Sequence, residues 1–472
     1  MENLMYRRVL YIAYTYPPIG GAGVQRTSKF VKYLPQFGWL PSVLTVANPS
    51  VPLLDTSLGR DIPDTAIVRR ARTWEPSYAV KASLAAARPE SGRRHFSPWG
   101  ILKRLTRRLT IALLQPDPQI LWLPAAIRAG KGLLHEHPHH AIVVSGPPFS
   151  SFLIGVALSR WSGLPLIMDY RDEWDLSNAY LENKGGGRLS HYVQMRMQRL
   201  AVRSARALMA TTRASAEALE QLRIDAGSKA RVTWIYNGYD PDDFAGSPAS
   251  ETERGVYRLA YVGTLWNLTD ATPLVEGILA LGRREPALVS RLELVFAGRR
   301  TPAQQQVLER LQSSPCRLVL HPYLDHDAAL GLVRSAAGLC VLLSDSPGAE
   351  RVVPAKIFEY MAARRPIVAI CPKGEVWDIL GHYPAAHLCL PSEPESIAGC
   401  LASEIRRHLD ECPPDFDAWD ASLYSRRTQA AQLADLLASV SGGQLLGKRP
   451  ASASWSAPRA DQTGRSPAHP KW

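Results

Sequence analysis

Pro354-Ala355-Lys356-Ile357-Phe358-Glu359-Tyr360, continued by Met361-Ala362-Ala363 and the apolar run Pro366-Ile367-Val368-Ala369-Ile370, is the stretch that decides the fold. It predicts a helix opened by proline at its first position and fed into a buried parallel strand. Lys356 and Glu359 stand three residues apart, so they share one helical face near the positive end of the helix. That face suits a nucleotide diphosphate. Backbone N–H groups and an ammonium meet phosphates, while a carboxylate accepts hydrogen bonds from two neighbouring ribose hydroxyls. An ordinary surface ion pair on an amphipathic helix would carry the same two residues, so the rest of the chain must decide.

At 472 residues the chain is too long for one core and predicts two domains with extras. Hydrophobic residues make up 46% and charged residues 21%, the balance of a globular protein. No uncharged apolar run reaches the roughly 18 residues of a membrane span. Met1 to Arg8 leads straight into the strand-like Val9 to Tyr14, and turn residues follow, which does not suit a signal peptide. Cys316, Cys340, Cys371, Cys389, Cys400 and Cys412 never come as Cys-x-x-Cys; reduced, mostly structural thiols in a cytoplasmic protein are expected. The net charge is +12, and ten of those charges fall in two segments. One holds Arg93, Arg94, Lys103, Arg104, Arg107 and Arg108; the other is the last 32 residues. A nucleic-acid-binding surface would be spread differently, and no recognition module for DNA or RNA is present.

Short apolar strands alternate with helical stretches, the signature of parallel sheets covered on both faces. Strands are expected at Val9 to Tyr14, Ser42 to Val46, Ala141 to Ser145, Pro165 to Asp169, Ala207 to Ala210 and Val232 to Ile235. A second set is expected at Leu259 to Val262, Leu292 to Ala297, Leu318 to His321, Leu339 to Leu343 and Ile367 to Ile370. The polar stretch Pro241 to Gly255 marks the boundary. The resulting division is a first domain at 1–240, a second at 256–415, a helix at 416–440 (Ser422 to Ser439 at its heart) packing back on the first, and a disordered basic tail at 441–472. Two doubly wound domains facing each other leave a ligand cleft between the carboxyl ends of their strands.

Loops after parallel strands are where such folds keep their chemistry. The first strand is followed by Gly20-Gly21-Ala22-Gly23, which allows a tight turn and close approach of backbone to ligand, then by a helix with Arg26 and Lys29. Its spacing is not that of a dinucleotide fingerprint. Ser145-Gly146-Pro147-Pro148 is a rigid, hydroxyl-bearing turn, and a purely structural turn would read the same. Asp169-Tyr170-Arg171-Asp172-Glu173-Trp174-Asp175 crowds four acids at a strand end, which is costly unless they bind a hydroxyl-rich acceptor or act as a base.

Taken with Asn237-Gly238-Tyr239-Asp240 and Tyr261-Val262-Gly263-Thr264, these segments give the chain a resemblance to nucleotide-sugar-dependent glycosyltransferases of family 4, in particular the branch that makes bacterial surface polysaccharides. The resemblance runs over about residues 8 to 440 and implies the α/β GT-B fold, two Rossmann-like doubly wound parallel-sheet domains facing a central cleft. By the same resemblance Glu359 is the second glutamate of the family's Glu-x7-Glu motif and binds the donor ribose, with Lys356 facing the diphosphate. Gly263 and Thr264 flank that diphosphate, and the turn Glu350 to Val353, with Arg351 inside it, presents amides to phosphate and sugar. Tyr323, within His321 to Leu324, lines the base pocket, while Gly20, Gly21 and Gly23 close over the donor. Ser145, Asp169, Arg171 and Asp172 form the acceptor side.

Three departures from the family pattern stand out. The place of the first motif glutamate is held by Arg351, leaving Glu350, one step out of register, as the candidate catalytic carboxylate. The diphosphate loop Thr264-Leu265-Trp266-Asn267 has no basic residue, and Phe152 stands where relatives often have histidine. Family members retain anomeric configuration without an obvious protein nucleophile, so the demand is to stabilise the leaving diphosphate and the oxocarbenium-like centre. No Asp-x-Asp site lies at a donor position, so no metal ligands, no obligatory divalent ion and no cofactor beyond the nucleotide sugar are expected.

Ile101 to Leu114 predicts a basic amphipathic helix, with Ile101, Leu105, Leu109 and Ala112 on one face and Lys103, Arg104 and Arg107 opposite. Such a helix lies in an anionic membrane surface, although a core-facing helix with a solvated side has the same pattern. His135-Glu136-His137-Pro138-His139-His140 reads as a solvated loop at the end of the sheet away from the cleft. The expected activity is transfer of a hexose to a lipid-linked saccharide in exopolysaccharide biosynthesis, peripheral on the inner face of the plasma membrane. A non-catalytic nucleotide-sugar-binding protein of the same fold and a nucleotide-sugar epimerase are the alternatives.

Overall fold

The computed structural model describes residues 6–51, 53–78, 114–180, 188–245 and 255–442. Strands β1 (Arg7–Ile12), β2 (Trp39–Val46), β3 (Ile67–Ala71), β4 (Ala141–Gly146), β5 (Leu166–Tyr170), β6 (Ala207–Ala210) and β7 (Arg231–Trp234) form one sheet. Its order is β3-β2-β1-β4-β5-β6-β7, with every pairing parallel. A second all-parallel sheet contains β8 (Tyr257–Val262), β9 (Leu292–Ala297), β10 (Arg317–His321), β11 (Gly338–Leu342), β12 (Ile367–Ile370) and β13 (Ala386–Cys389). Its order is β10-β9-β8-β11-β12-β13. The expected pair of doubly wound sheets is therefore present.

The sequence reading missed two strands, both on sheet edges. β3 reads Ile-Val-Arg-Arg-Ala and turns Arg69 outward to an exposed ion pair with Glu136, while β13 reads Ala-His-Leu-Cys. Neither carries a continuous apolar run, β3 being broken by two arginines and β13 by a histidine. Inner strands alternate between two cores as the pleat requires. Leu10 and Ile12 enter one cluster of the first sheet, Val9 and Tyr11 the other. Each Leu, Ile or Val side chain fully buried this way contributes about 1.5–3 kcal/mol relative to exposure.

The last helix, Arg426–Ser441, begins after a 3-10 turn at Ala421–Tyr424 and is capped by the Ser425 hydroxyl, which accepts from the Thr428 N–H. Ala430, Leu433, Ala434 and Leu437 join Tyr11 and Phe30 in a core of the first sheet. The chain thus crosses between the sheets twice, and the two crossings bond each other: Tyr239 N–H to the Tyr424 carbonyl at 3.1 Å and Arg426 N–H to the Tyr239 carbonyl at 2.8 Å.

Strand order reverses between β1 and β4 in the first sheet and between β8 and β11 in the second. At such switch points the loops leaving adjacent strands diverge and open a crevice. The glycine loop and the Ser145 to Pro148 turn leave one switch point; Gly263 and the Leu343 to Val353 loop leave the other.

Candidate active site between the two domains

The helix of the opening sequence runs Lys356–Ala362, two residues later than the proline signal predicts. Pro354 and Ala355 instead form a tight entry turn, whose carbonyls accept the Ile357 and Phe358 N–H groups at 3.1 and 3.3 Å. Ile357, Phe358, Tyr360 and Met361 anchor the helix in the core, leaving Lys356 and Glu359 half-buried. The two are not paired with each other, and neither has a hydrogen bond or ion pair among the described residues. The Lys356 ammonium sits 3.5 Å above the Tyr261 ring centroid instead. Burial pushes its pKa down to about 7. Burial raises the Glu359 carboxyl, opposed by the charges of His326 and Arg426.

Gly263 adopts φ 146°, and a Cβ there would fall 2.5 Å from the Lys356 ammonium. Only glycine fits. Thr264 lies exposed beside it, its carbonyl fixed by the Tyr261 hydroxyl at 3.0 Å and the Thr269 hydroxyl at 2.7 Å. The result is a backbone shelf beneath an ammonium that rests on an aromatic ring and has no carboxylate partner among the described residues.

Arg351 is committed elsewhere. Its Nε and Nη2 reach the two Glu173 oxygens, both at 2.9 Å, and its Nη1 reaches Glu350 at 3.3 Å. Its carbonyl accepts the Thr212 hydroxyl at 3.0 Å. Glu350 is thereby tied to Arg351, while the Val353 side chain is buried in the core of the second sheet.

On the first domain Arg171 spans the two predicted turns, its guanidinium donating to the Gly23 and Pro147 carbonyls. A Cβ at Gly23 would lie 2.8 Å from that guanidinium and would displace it. Gly20 donates its N–H to the Leu53 carbonyl at 3.1 Å, and the Gly21 N–H meets the Tyr323 hydroxyl from the second domain. Asp172 is exposed and makes no hydrogen bond to any described residue. Asp169, by contrast, is completely buried: it takes Arg26 Nε at 3.0 Å, Ser145 Oγ at 3.1 Å and Tyr11 Oη at 3.4 Å. The acidic segment therefore divides into an open carboxylate and a locked one.

Several site residues escaped the sequence reading. Lys29 is 1% exposed and bridges Asp240 at 2.5 Å and Asp61 at 2.8 Å; Lys32 adds Asp240 and Asp242, both at 2.7 Å. These ammonium groups hold Asp240 far below the usual carboxylate range despite its burial. Asp243 bonds His326 Nε2 at 2.9 Å, while Gln25 Nε2 lies 3.4 Å from the other ring nitrogen. Burial lowers the His326 pKa, but the Asp243 hydrogen bond outweighs it and the net shift is upward. Glu375, at the start of helix Glu375–Leu380, reaches back to the first domain. Its oxygens accept the Arg213 and Ala214 N–H groups, each at 3.0 Å, and the Tyr236 hydroxyl at 2.5 Å. Only the placement of Arg26 and Lys29 after the glycine loop, and of Asp240 in its motif, hinted at this network.

Phe152 is buried among Phe149, Tyr170 and Trp174. The histidine segment is a loop only from His137: exposed His135 and Glu136 end the helix Leu123–Glu136, Pro138 is exposed, and His137, His139 and His140 are half-buried. His140 accepts the Arg8 N–H at 3.3 Å and packs edge-on to Trp39, while burial drives His139 down to about 4. No group of three or more His, Cys, Asp or Glu suited to a metal occurs among the described residues. No helix among them is long and apolar enough to cross a membrane. The basic segment at 93–108, the amphipathic segment Ile101 to Leu113 and the tail from 443 lie outside the described residues.

Residues 68–238 match the family described as glycosyl transferase 4-like domain. No curated protein sequence matches the chain. Among solved structures, HepE of Anabaena, in complex with UDP and glucose, has a TM-score of 0.55 at 16% identity, over 92% of this chain and 100% of that one. WaaG, a glycosyltransferase involved in lipopolysaccharide biosynthesis, has a TM-score of 0.55 at 14% identity, over 91% and 99%. A putative UDP-N-acetylglucosamine 2-epimerase from Listeria monocytogenes has a TM-score of 0.50 at 14% identity, over 92% and 96%. Over residues 68–238 the chain matches the glycosyl transferase 4-like domain family, and as a whole it has the GT-B fold.

Proposed function

We propose that this chain moves a hexose from a nucleotide diphosphate sugar to a lipid-linked saccharide, with retention of anomeric configuration, in surface polysaccharide synthesis. One observation carries the reading. An ammonium and a carboxylate, Lys356 and Glu359, stand half-buried on one helix with no ion-pair or hydrogen-bond partner among the described residues, over a glycine shelf at a switch point. Unpaired buried charge is costly, and a diphosphate with its ribose supplies the missing partner to each. HepE, solved with UDP-glucose, lends support through the shared fold.

In the reaction the bond from the anomeric carbon to the diphosphate oxygen breaks while a bond to the acceptor oxygen forms on the same face. The acceptor proton passes to the departing phosphate oxygen. Lys356 and the Gly263 backbone stabilise the charge that develops on the diphosphate. Asp172, exposed across the cleft, orients the acceptor hydroxyl. Turnover is expected to be unchanged in excess chelator; abolition by chelator overturns the metal-free part of the reading. The anionic membrane surface enters through Lys103, Arg104, Arg107 and Arg108. Their replacement by Glu is expected to abolish sedimentation with anionic vesicles.

A second reading, a non-catalytic nucleotide-sugar-binding protein, is favoured by one pairing. Arg351, at the place of the first motif glutamate, is neutralised by Glu173 and not free for substrate. Incubating the protein with a panel of nucleotide sugars and membrane lipid extract separates the cases, by assay of free nucleotide, epimerised donor and glycolipid. Glycolipid supports the transferase, and donor binding without turnover supports the second reading. Loss of donor binding in Glu359→Ala tests the site under either.

A further inference from the structure

Away from the cleft, a constellation of reactive groups joins β13 to the helix Pro394–Leu409. Strand periodicity puts His387 and Cys389 on one face of β13, and helical periodicity puts Cys400 and Glu404 on one face of the helix. The two faces meet. The Cys389 thiol donates to the Cys400 sulfur at 3.3 Å, and His387 Nε2 lies 2.7 Å from Glu404 Oε1. Glu404 is 2% exposed and is also held by Arg407, whose Nε lies 3.0 Å away. Cys389 is buried, whereas Cys400 is partly open to solvent.

A buried carboxylate that fixes an imidazole, which in turn faces a thiol, is the arrangement that activates a nucleophile. Hydrogen bonds from the Cys389 thiol and the His387 imidazole lower the pKa of the Cys400 thiol. His387 is correspondingly raised to about 9 by its bonds to Cys400 and Glu404. The neighbouring thiolate and burial push Cys389 upward. Ordinary packing asks for no carboxylate-held imidazole beside two sulfurs in contact, one buried and the other reachable from solvent. Cys316, Cys340 and Cys371, all buried without a histidine or carboxylate so placed, are each pushed up to about 12.

We propose that Cys400 and Cys389 are a hydroperoxide-oxidisable dithiol, with Cys400 the attacking thiolate, Cys389 the resolving thiol and His387 a positioning and proton-donating residue. The Cys400 sulfur attacks one oxygen of a hydroperoxide. An S–O bond forms, the O–O bond breaks, and the departing oxygen takes a proton from the His387 imidazolium. Cys389 then attacks the sulfenic sulfur; the S–S bond forms, the S–O bond breaks, and hydroxide leaves as water with the Cys389 proton. The pair gives up two electrons and the peroxide accepts them. The disulfide ties the end of β13 to the helix eleven residues on and reverses by exchange with an external thiol.

The test uses the full chain. Treatment with equimolar hydrogen peroxide, alkylation and peptide mapping are expected to show Cys389 joined to Cys400, released by dithiothreitol. At about pH 6, iodoacetamide is expected to label Cys400 about tenfold faster than the exposed Cys412, the thiolate excess being partly offset by the lower nucleophilicity of an acidic thiol. Cys389→Ser should leave Cys400 as a sulfenic acid trapped by dimedone. His387→Gln should move the pH midpoint of Cys400 alkylation upward, which a merely structural histidine would not do. Equal labelling of Cys400 and Cys412, or peroxide-driven pairing of any other two cysteines, overturns the proposal. Both readings are made on the unaltered protein, so neither depends on a variant folding.

Discussion

The Arg351 guanidinium lies in a two-pronged ion pair on the Glu173 carboxylate, with both N–O distances at 2.9 Å. Arg351 leaves the second sheet after β11 and Glu173 leaves the first after β5, so the pair spans the cleft. Bidentate geometry and partial burial make it stronger than an isolated surface bridge, with a coupling of about 1–2 kcal/mol. Glu173→Gln and Arg351→Met are each expected to increase the radius of gyration measured by small-angle scattering. The exchanged pair, Glu173→Arg with Arg351→Glu, is expected to recover part of the compaction. Equal radii in all four proteins would show that the pair does not hold the domains together.

Lys356 gives donor binding a defined pH dependence. Its burial-depressed pKa of about 7 means that the amine is charged below neutrality and largely neutral above it. Two bound phosphates restore the charge, so binding above pH 7 must take up a proton. Affinity for a nucleotide diphosphate sugar, whose esterified phosphates do not titrate there, should fall by up to about tenfold per pH unit above 7. Calorimetry in buffers of different ionisation enthalpy is expected to show proton uptake rising toward one per site. Lys356→Arg should remove the dependence. Lys356→Ala should weaken binding by about 10–100-fold, the value of a charge-assisted hydrogen bond. A flat affinity profile from pH 6 to 9 in the unaltered protein would exclude Lys356 as the diphosphate ligand.

Glu375 makes a second interdomain prediction. Its carboxylate satisfies the Arg213 and Ala214 N–H groups at the start of helix Arg213–Asp225, where negative charge also meets the positive end of the helix. Glu375→Ala is expected to accelerate hydrogen exchange at those two amides while leaving β9 and β11 of its own sheet unchanged. Unaltered exchange at both amides would place the contact outside the solution structure.

The inner strands were legible because burial on both faces writes a continuous apolar run, as in Ile367-Val368-Ala369-Ile370. The edge strands β3 and β13 carry no such run and were missed. Lys356, Glu359 and Gly263 were legible because their positions lie in one short helix and one loop that follow strands. The pairing of Arg351 was not, since Glu173 lies 178 residues away and only the facing of the two domains brings them together. The same holds for Lys29, whose partners Asp61 and Asp240 come from two separate loops. Asp169 and Asp172 are three residues apart, yet strand pleating and the turn send one into the core and the other to solvent. No local pattern separates them.

That division sets how a loss of activity at Asp169 should be read. Asp169 is wholly buried and Arg26 is 2% exposed, and their pairing places Arg26 to donate to the Ile235 carbonyl at 2.8 Å and the Tyr236 carbonyl at 3.1 Å. Removing one partner strands the other charge in the core, at a cost of about 3–5 kcal/mol. Asp169→Ala and Arg26→Ala are each expected to lower the thermal midpoint by several degrees or more, with donor binding falling only as folding fails. Asp172→Ala, which breaks no hydrogen bond among the described residues, should keep the thermal midpoint and donor affinity closer to the unaltered protein than Asp169→Ala does, while reducing transfer. If Asp169→Ala instead folds with an unchanged midpoint and loses transfer alone, Asp169 acts on the acceptor and the core role assigned to it is wrong.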